Sequence, residues 1–165
     1  MRDLLAQELS EAQAGAEHED WDWRIKIESL ESGRQRLVAI ECGGAVQGLL
    51  AVLSQPRPAL LEPKGEPILY IDYLEAAPWN LKRPTSRPQY LGVGTVMIAQ
   101  AIKLSREWGW QGRVGLHSLS QAERFYRENC GMTDLGHDSD YYELTYFEYT
   151  ESQAAHWLAK VGLSP

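Results

Sequence analysis

Paired cysteines are missing from this chain of 165 residues. Its two, Cys42 and Cys130, stand far apart, which argues against a disulfide framework or a zinc site. An excess of basic charge is missing as well. Sixteen Lys and Arg against 23 Asp and Glu leave a formal net charge of −7 and a pI of about 5.1. That disfavours general nucleic-acid binding, which wants a basic surface, and is compatible with a cationic substrate. No apolar run approaches the ~20 residues of a membrane-spanning helix. The first residues, from Met1 to Glu8, read as a polar helix rather than a signal peptide, so a cytoplasmic protein is expected. There is no internal repeat and no low-complexity tract. With a hydrophobic fraction of 44%, the length suits one domain with a real core.

What the chain has is a succession of hydrophobic periods. Residues 3–16 read as a helix with Leu4, Leu5 and Leu9 on one face. Asp20 can cap a second helix carrying Trp21, Trp23, Ile25, Ile27 and Leu30, although that alternation also suits a strand. From Arg36 the period shortens: a strand from Leu37 to Cys42, a tight turn at Gly43-Gly44, and a partner strand from Val46 to Leu53. A proline-rich loop follows over 55–67. A third strand, Ile68 to Ala76, has Asp72 and Glu75 set into it and is stopped by Pro78. A basic connector with Lys82, Arg83 and Arg87 leads to a helix from about Gly92 to Trp108. Then come a strand from Arg113 to His117 and a helix capped by Ser118 or Ser120 that stops near Cys130-Gly131. One or two strands are expected in Met132 to Leu135 and Tyr141 to Tyr149, and Thr150 caps a closing helix to Lys160. This order predicts one α/β domain around a mixed sheet.

The organising stretch is Arg87-Pro-Gln-Tyr-Leu-Gly92-Val-Gly94-Thr95, a two-glycine turn that opens directly into a helix. Such a terminus points free N–H groups and a partial positive charge at an anion, most often phosphate. A nucleotide-hydrolysing loop would need lysine after the second glycine, but Thr95 and Val96 stand there. A dinucleotide fingerprint would need a small residue where Met97 lies, and no second βαβ unit follows. The pattern that does fit is Q/R-x-x-G-x-G/A, present as Gln89-Tyr90-Leu91-Gly92-Val93-Gly94. It resembles motif A of the GNAT superfamily of acyl-CoA N-acyltransferases. Residues 114–132 resemble that family's motif B, a strand followed by a helix with A-x-x-F-Y and then Gly-Phe/Met. Here these are Ala122, Phe125-Tyr126 and Gly131-Met132. The resemblance covers roughly residues 36–148.

That resemblance implies a single GNAT-like domain over 1–165, with N-terminal helices in 1–34, an acyl-CoA-binding core in 36–148 and a C-terminal helix in 150–160. It implies a mixed, mostly antiparallel sheet flanked by helices, with a V-shaped splay between two central strands. Acetyl-CoA is the implied donor. Its pyrophosphate would sit on the N–H groups of Tyr90, Leu91, Gly92, Val93, Gly94 and Thr95, with Gln89 opening the motif. Its pantetheine arm would pair with the third strand near Leu74 and Ala76, and Phe125 would contribute to the cofactor site. Tyr126 matches the general acid for the leaving thiolate. Asp72 and Glu75 are the candidate bases for a primary amine acceptor, and His117 is a third. No metal is called for. The acceptor would be a small molecule, a peptide or a protein, and a homodimer is permitted. The competing class is a non-catalytic module that binds CoA, or nothing, on the same fold. The sequence departs from the family where Leu119 replaces a frequent asparagine before the second helix, and in the length of the connector after the third strand. Among the aromatic residues, Trp79 and the Tyr141-Tyr142 pair lie near expected acceptor-side loops. Cys130 has no histidine partner in reach by sequence and is not read as a nucleophile.

Overall fold

Gly43 and Gly44 take φ values of 64° and 78°. Two successive positive φ angles make the hairpin turn whose twist matches right-twisted strands, and glycine reaches them without strain. The turn joins β1 (Gln35–Cys42) to β2 (Ala45–Leu53). The structure is a computed structural model that describes residues 27–28, 33–81 and 87–163. The expected helices over 3–16 and 20–32 fall outside these residues apart from Ile27 and Glu28, which are helical. Lys82 and Arg83 also lie outside them.

The proline-rich segment after β2 is not wholly loop. Its residues Arg57–Pro58 form β3, which pairs antiparallel with the start of β4 (Pro67–Ala76). A 3₁₀ turn at Pro78–Asn80 ends that run. The glycine turn then opens α1 (Val93–Glu107), followed by β5 (Val114–Ser118). The next helical segment begins as 3₁₀ at Ser120–Ala122 and becomes π-helical over Phe125–Cys130. The capping expected from Ser118 or Ser120 is corrected here. Leu119 holds the cap position with no side-chain bond, and Ser118 gives its hydroxyl to the Leu119 carbonyl. β6 (Thr133–Asp138) and β7 (Leu144–Tyr149) close the sheet. Between them Tyr141, Tyr142 and Glu143 form a turn rather than the predicted strand. Tyr142 and Glu143 adopt φ of 57° and 58°, left-handed values that end an extended run. The last helix, α2 (Glu151–Lys160), carries the expected Thr150 cap, completed by Gln153 as a reciprocal capping box.

The seven strands form one mixed, mostly antiparallel sheet with helices on it, in the order β1-β2-β4-β5-β7-β6, β3 lying off that path against β4. β4 and β5 are parallel, and their pairing covers only Leu69↔Val114, Tyr70↔Gly115 and Ile71↔Leu116. β4 runs on to Ala76 and β5 to Ser118, so the two central strands stop pairing while both continue. This is the parting the sequence led one to expect.

The chain divides into two compact units. One takes in Met1–Ala51 and Tyr73–Met97, the other Val52–Asp72 and Ile98–Pro165. The first is centred on Ile27, Val46, Leu49 and Ala77, with Leu37, Ala39 and Trp79 packed against them. In the second, Phe147 and Tyr149 of β7 meet Tyr126 and Trp157 on one sheet face. Ala59, Ile68, Tyr70 and Tyr146 form a cluster on the other side of the strands. Among the described residues no helix is long and apolar enough to cross a membrane.

Candidate functional site

In the first unit, the glycine turn is held by a polar hub built on Gln47, a side chain only 2% exposed in an otherwise apolar strand. Its amide donates to the carbonyls of Cys42 at 2.9 Å and Ala45 at 3.2 Å. Its Oε1 accepts from Trp79 Nε1 at 2.8 Å and Asn80 Nδ2 at 2.9 Å. Asn80 Oδ1 in turn accepts the Tyr90 N–H at 2.9 Å, and the Gln89 N–H reaches the Trp79 carbonyl at 2.9 Å. Every polar atom in this chain is answered, which is what a buried amide needs to avoid a desolvation cost. Trp79 is therefore a structural part of the hub, which differs from its expected place on an acceptor-side loop. Gln47 and Asn80 did not stand out in the sequence. Their only signal was a glutamine inside a buried strand and an asparagine after a proline-stopped one.

Beyond this anchor the turn is open. Gly92 sits at φ 79°, and nothing stands within 4 Å of the position a β-carbon would take. The first intrahelical bond of α1 runs from the Val96 N–H to the Gly92 carbonyl at 3.0 Å. The Tyr90 N–H is already spent on Asn80, which removes it from the expected anion donors. Among the described residues, no partner is found for the N–H groups of Leu91, Gly92, Val93, Gly94 and Thr95, which are the orphan donors of a helix start. The side chains of Leu91 and Val96 stand exposed beside them. The first turn of α1 is pressed onto β2 at Gly48, where an added β-carbon would lie 2.8 Å from Val93 Cγ1 and 2.9 Å from Met97 Sδ. The close approach that Met97 seemed to forbid is supplied by a glycine on the strand. The Cys42 thiol beside the Tyr90 hydroxyl raises that phenol above its ordinary value.

In the second unit, the π-helical segment aims Tyr126. Its carbonyl accepts the N–H of Gly131, which sits left-handed at φ 70°, and the N–H of Met132 at 3.0 Å. The ring is 6% exposed and packs edge-on to Phe125 and against Phe147. Burial pushes its phenol well above the ordinary value. Among the described residues no side chain bonds the Tyr126 hydroxyl, so a neutral O–H is available to donate. Burial likewise pushes the Cys130 thiol up to about 12, in keeping with an unreactive cysteine.

Asp72 is half-buried on β4, immediately after the last residue paired to β5. Glu75, Leu74 and Ala76 are half-buried on the continuation of β4. His117 is the third base candidate, and both its ring nitrogens are occupied. Nδ1 lies 2.8 Å from the Tyr70 hydroxyl and Nε2 lies 2.9 Å from Asp138 Oδ2. Tyr141 lies stacked on that ring, with centroids 4.0 Å apart, while Tyr142 is exposed beside it.

No family model and no curated protein sequence matches the chain. Solved structures do. One is a candidate streptothricin acetyltransferase from Bacillus anthracis str. Ames in complex with acetyl coenzyme A. It aligns with a TM-score of 0.51 at 17% identity over 74% of this chain and 65% of its own. A second is a candidate GNAT-family acetyltransferase from Desulfovibrio desulfuricans, with a TM-score of 0.57 at 14% identity over 90% of this chain and 91% of its own. The chain thus spans a little under two thirds of the first protein and most of the second. Identities this low speak to architecture rather than chemistry. By its strand order, its parted central pair and these likenesses, the chain has the fold of the GNAT acetyltransferases.

Proposed function

We propose that this protein is an acyl-CoA-dependent N-acyltransferase. It moves an acetyl group from acetyl-CoA to a primary amine by direct attack within a ternary complex. The observation that carries this reading is the open glycine turn. Among the described residues, five successive N–H groups, from Leu91 to Thr95, have no acceptor at the positive end of α1, with room over Gly92 for an anion to come close. Such a cradle suits the pyrophosphate of coenzyme A, which supplies a thioester carbonyl open to attack.

In this reading Leu91 to Thr95 hold the pyrophosphate, and the Thr95 hydroxyl adds one donor. Main-chain groups of Leu74 to Ala76 pair with the pantetheine arm, and an N–H there supports the oxygen that gains charge as the amine adds. Phe125 packs against the cofactor. Asp72, with Glu75 as the other candidate, takes the amine's proton. This is needed because a lysine-like amine, of pKa about 10.4, is mostly charged at neutral pH and has no lone pair to offer. The amine nitrogen then forms a bond to the acyl carbon, the carbon–sulfur bond breaks, and Tyr126 gives its hydroxyl proton to the departing thiolate. The acceptor is an amine-bearing small molecule, peptide or protein.

A thermal-shift series with acetyl-CoA, free CoA and NAD tests this directly. Acetyl-CoA and CoA should raise the melting temperature and NAD should not. No shift with either CoA species would sink the assignment of the turn. A shift without turnover across a panel of amines would instead favour a CoA-binding module that does no chemistry.

A further inference from the structure

A helix leaves its last four carbonyls without intrahelical donors. The segment that carries Tyr126 ends in the second unit, and β7 and α2 supply what its end lacks. The Trp157 indole N–H of α2 donates to the Asn129 carbonyl at 3.1 Å. The Tyr149 hydroxyl of β7 donates to the Cys130 carbonyl. A little further on, the Gln153 amide of α2 donates to the hydroxyl of Thr133, the first residue of β6, at 2.8 Å. Tyr149 is 2% and Trp157 3% exposed, and their ring centroids lie 6.1 Å apart. A buried donor that lost its acceptor would bear the desolvation penalty in full, so both bonds are held firmly.

The Tyr149 bond reaches Tyr126 through a single peptide unit. The Cys130 carbonyl and the Gly131 N–H belong to one planar group. Its carbonyl side is held by Tyr149, and its N–H side donates to the Tyr126 carbonyl. The N–H of Met132 donates to that same carbonyl at 3.0 Å. The main chain of Tyr126 is thus tied to a phenol on another element. The outer side of the segment is held more loosely. Arg127 bonds Glu123 and Asp134, and Arg124 bonds Glu128, but these pairs are exposed, and surface ion pairs contribute little. A π-helical run is rare and is found most often at functional sites. The six residues of Phe125–Cys130 keep that geometry only where the surroundings impose it, and the buried bonds from Tyr149 and Trp157 are what impose it here.

We infer that Tyr149, supported by Trp157, is a positioning residue for acyl transfer: it fixes the Cys130–Gly131 peptide and through it the aim of the Tyr126 hydroxyl. The inference rests on the acyltransferase reading, in which Tyr126 gives its proton to the departing thiolate. Tyr149 and Trp157 touch neither acyl donor nor amine and act only through Tyr126. Burial raises the Tyr149 phenol far above its ordinary value, so at neutral pH it stays a neutral O–H that donates. Without this clamp the segment is free to relax toward α geometry. The Tyr126 ring would keep its packing against Phe125 and Phe147, but its hydroxyl would lose its fixed direction. Because that hydroxyl acts as the thiolate leaves and not on the bound thioester, the loss falls on kcat.

The test is a double-variant cycle on kcat with Tyr149→Phe, Tyr126→Phe and the pair, using acetyl-CoA and an amine that the wild type acetylates. Tyr149→Phe removes only the hydroxyl and keeps the ring against Trp157. It should lower kcat by roughly 10–100-fold, the scale of a misplacement of about 1 Å, with KM for acetyl-CoA unchanged. In the Tyr126→Phe background the same change should cost nothing further, since it acts through a hydroxyl already gone. A merely structural role would lower kcat equally in both backgrounds. Amide hydrogen exchange gives a readout apart from turnover: Tyr149→Phe should speed exchange at Gly131 and Met132 and leave the amides of β5 unchanged. Trp157→Phe removes the other bond, should show the same pattern, and keeps the test open if Tyr149→Phe does not fold. Equal losses in the two backgrounds, an unchanged kcat, or unaltered exchange at Gly131 would overturn the inference. So would a Tyr126→Phe variant as fast as the wild type, since no hydroxyl would be left to aim. A wild type that acetylates no amine defeats the acyltransferase reading and this inference with it. An active wild type with additive losses defeats the role of Tyr149 alone.

Discussion

Tyr126 owes its availability to local geometry. The π-helical segment turns its ring inward between Phe125 and Phe147 while its carbonyl is doubly bonded by Gly131 and Met132. Removing only the hydroxyl should leave that packing intact. Tyr126→Phe is expected to lower turnover by roughly 10²–10⁴-fold with the thermal shift by CoA retained, and a Phe variant as fast as wild type would strike Tyr126 from the mechanism. Gly92 makes a different demand. At φ 79° with open space around it, Gly92→Ala meets no clash and carries only the left-handed conformational cost, about 1–2 kcal/mol. Urea denaturation should register that loss. The new methyl would also take up part of the open space beside Gly92, so the CoA-induced shift should shrink by more than the stability loss accounts for.

α1 and β2 show how one position sets the relation of two elements. With Val93 and Met97 both under 3.0 Å from a would-be β-carbon at Gly48, Gly48→Ala must either shift the helix or strain both side chains. A cost of about 1–3 kcal/mol is expected, read as a lower urea midpoint, with weaker CoA binding as the helix start moves. Local elements of this kind were largely legible in the sequence. The Gly43-Gly44 hairpin and the Thr150-capped α2 depend on neighbours within a few residues, and both form as expected. The glycine turn was legible for the same reason. What escaped was set by distant partners. β3 is two residues long and exists because β4 pairs with it. The 139–143 turn contains neither glycine nor proline, and its tyrosines looked like strand residues. The hub joining Gln47 to Asn80 spans 33 residues of sequence, a distance over which hydrophobic period carries no information.

Over the whole molecule, the low pI conceals a set of carboxylates with specific partners, all in the second unit. The Thr145 hydroxyl, then Arg127, holds Glu123 below its ordinary value. Arg127 and the Gly136 N–H do so for Asp134, and His117 does so for Asp138. A folded-state value below the unfolded one means that each contributes stability fully above the ordinary carboxylate range, near pH 4, and loses it as pH falls through the folded value. Urea midpoints should therefore hold between about pH 7 and pH 5 and drop below about pH 4. Amide exchange should rise first in β6 and β7, and raised salt should weaken the exposed Arg127 pairs in particular. Stability that stays flat down to about pH 3 would contradict this assignment.

The exposed Cys42 at the end of β1, whose thiol acts on the Tyr90 phenol, has a practical consequence. The molecule's other thiol, Cys130, is buried, and burial raises its pKa, so a thiol-reactive dye added to the native protein attaches at a single site without mutagenesis. Because Tyr90 opens the stretch of chain that runs through Gly92 into α1, a fluorophore on Cys42 should change its emission when CoA occupies that turn. The hairpin that braces the turn thus doubles as a ready-made optical reporter of its occupancy.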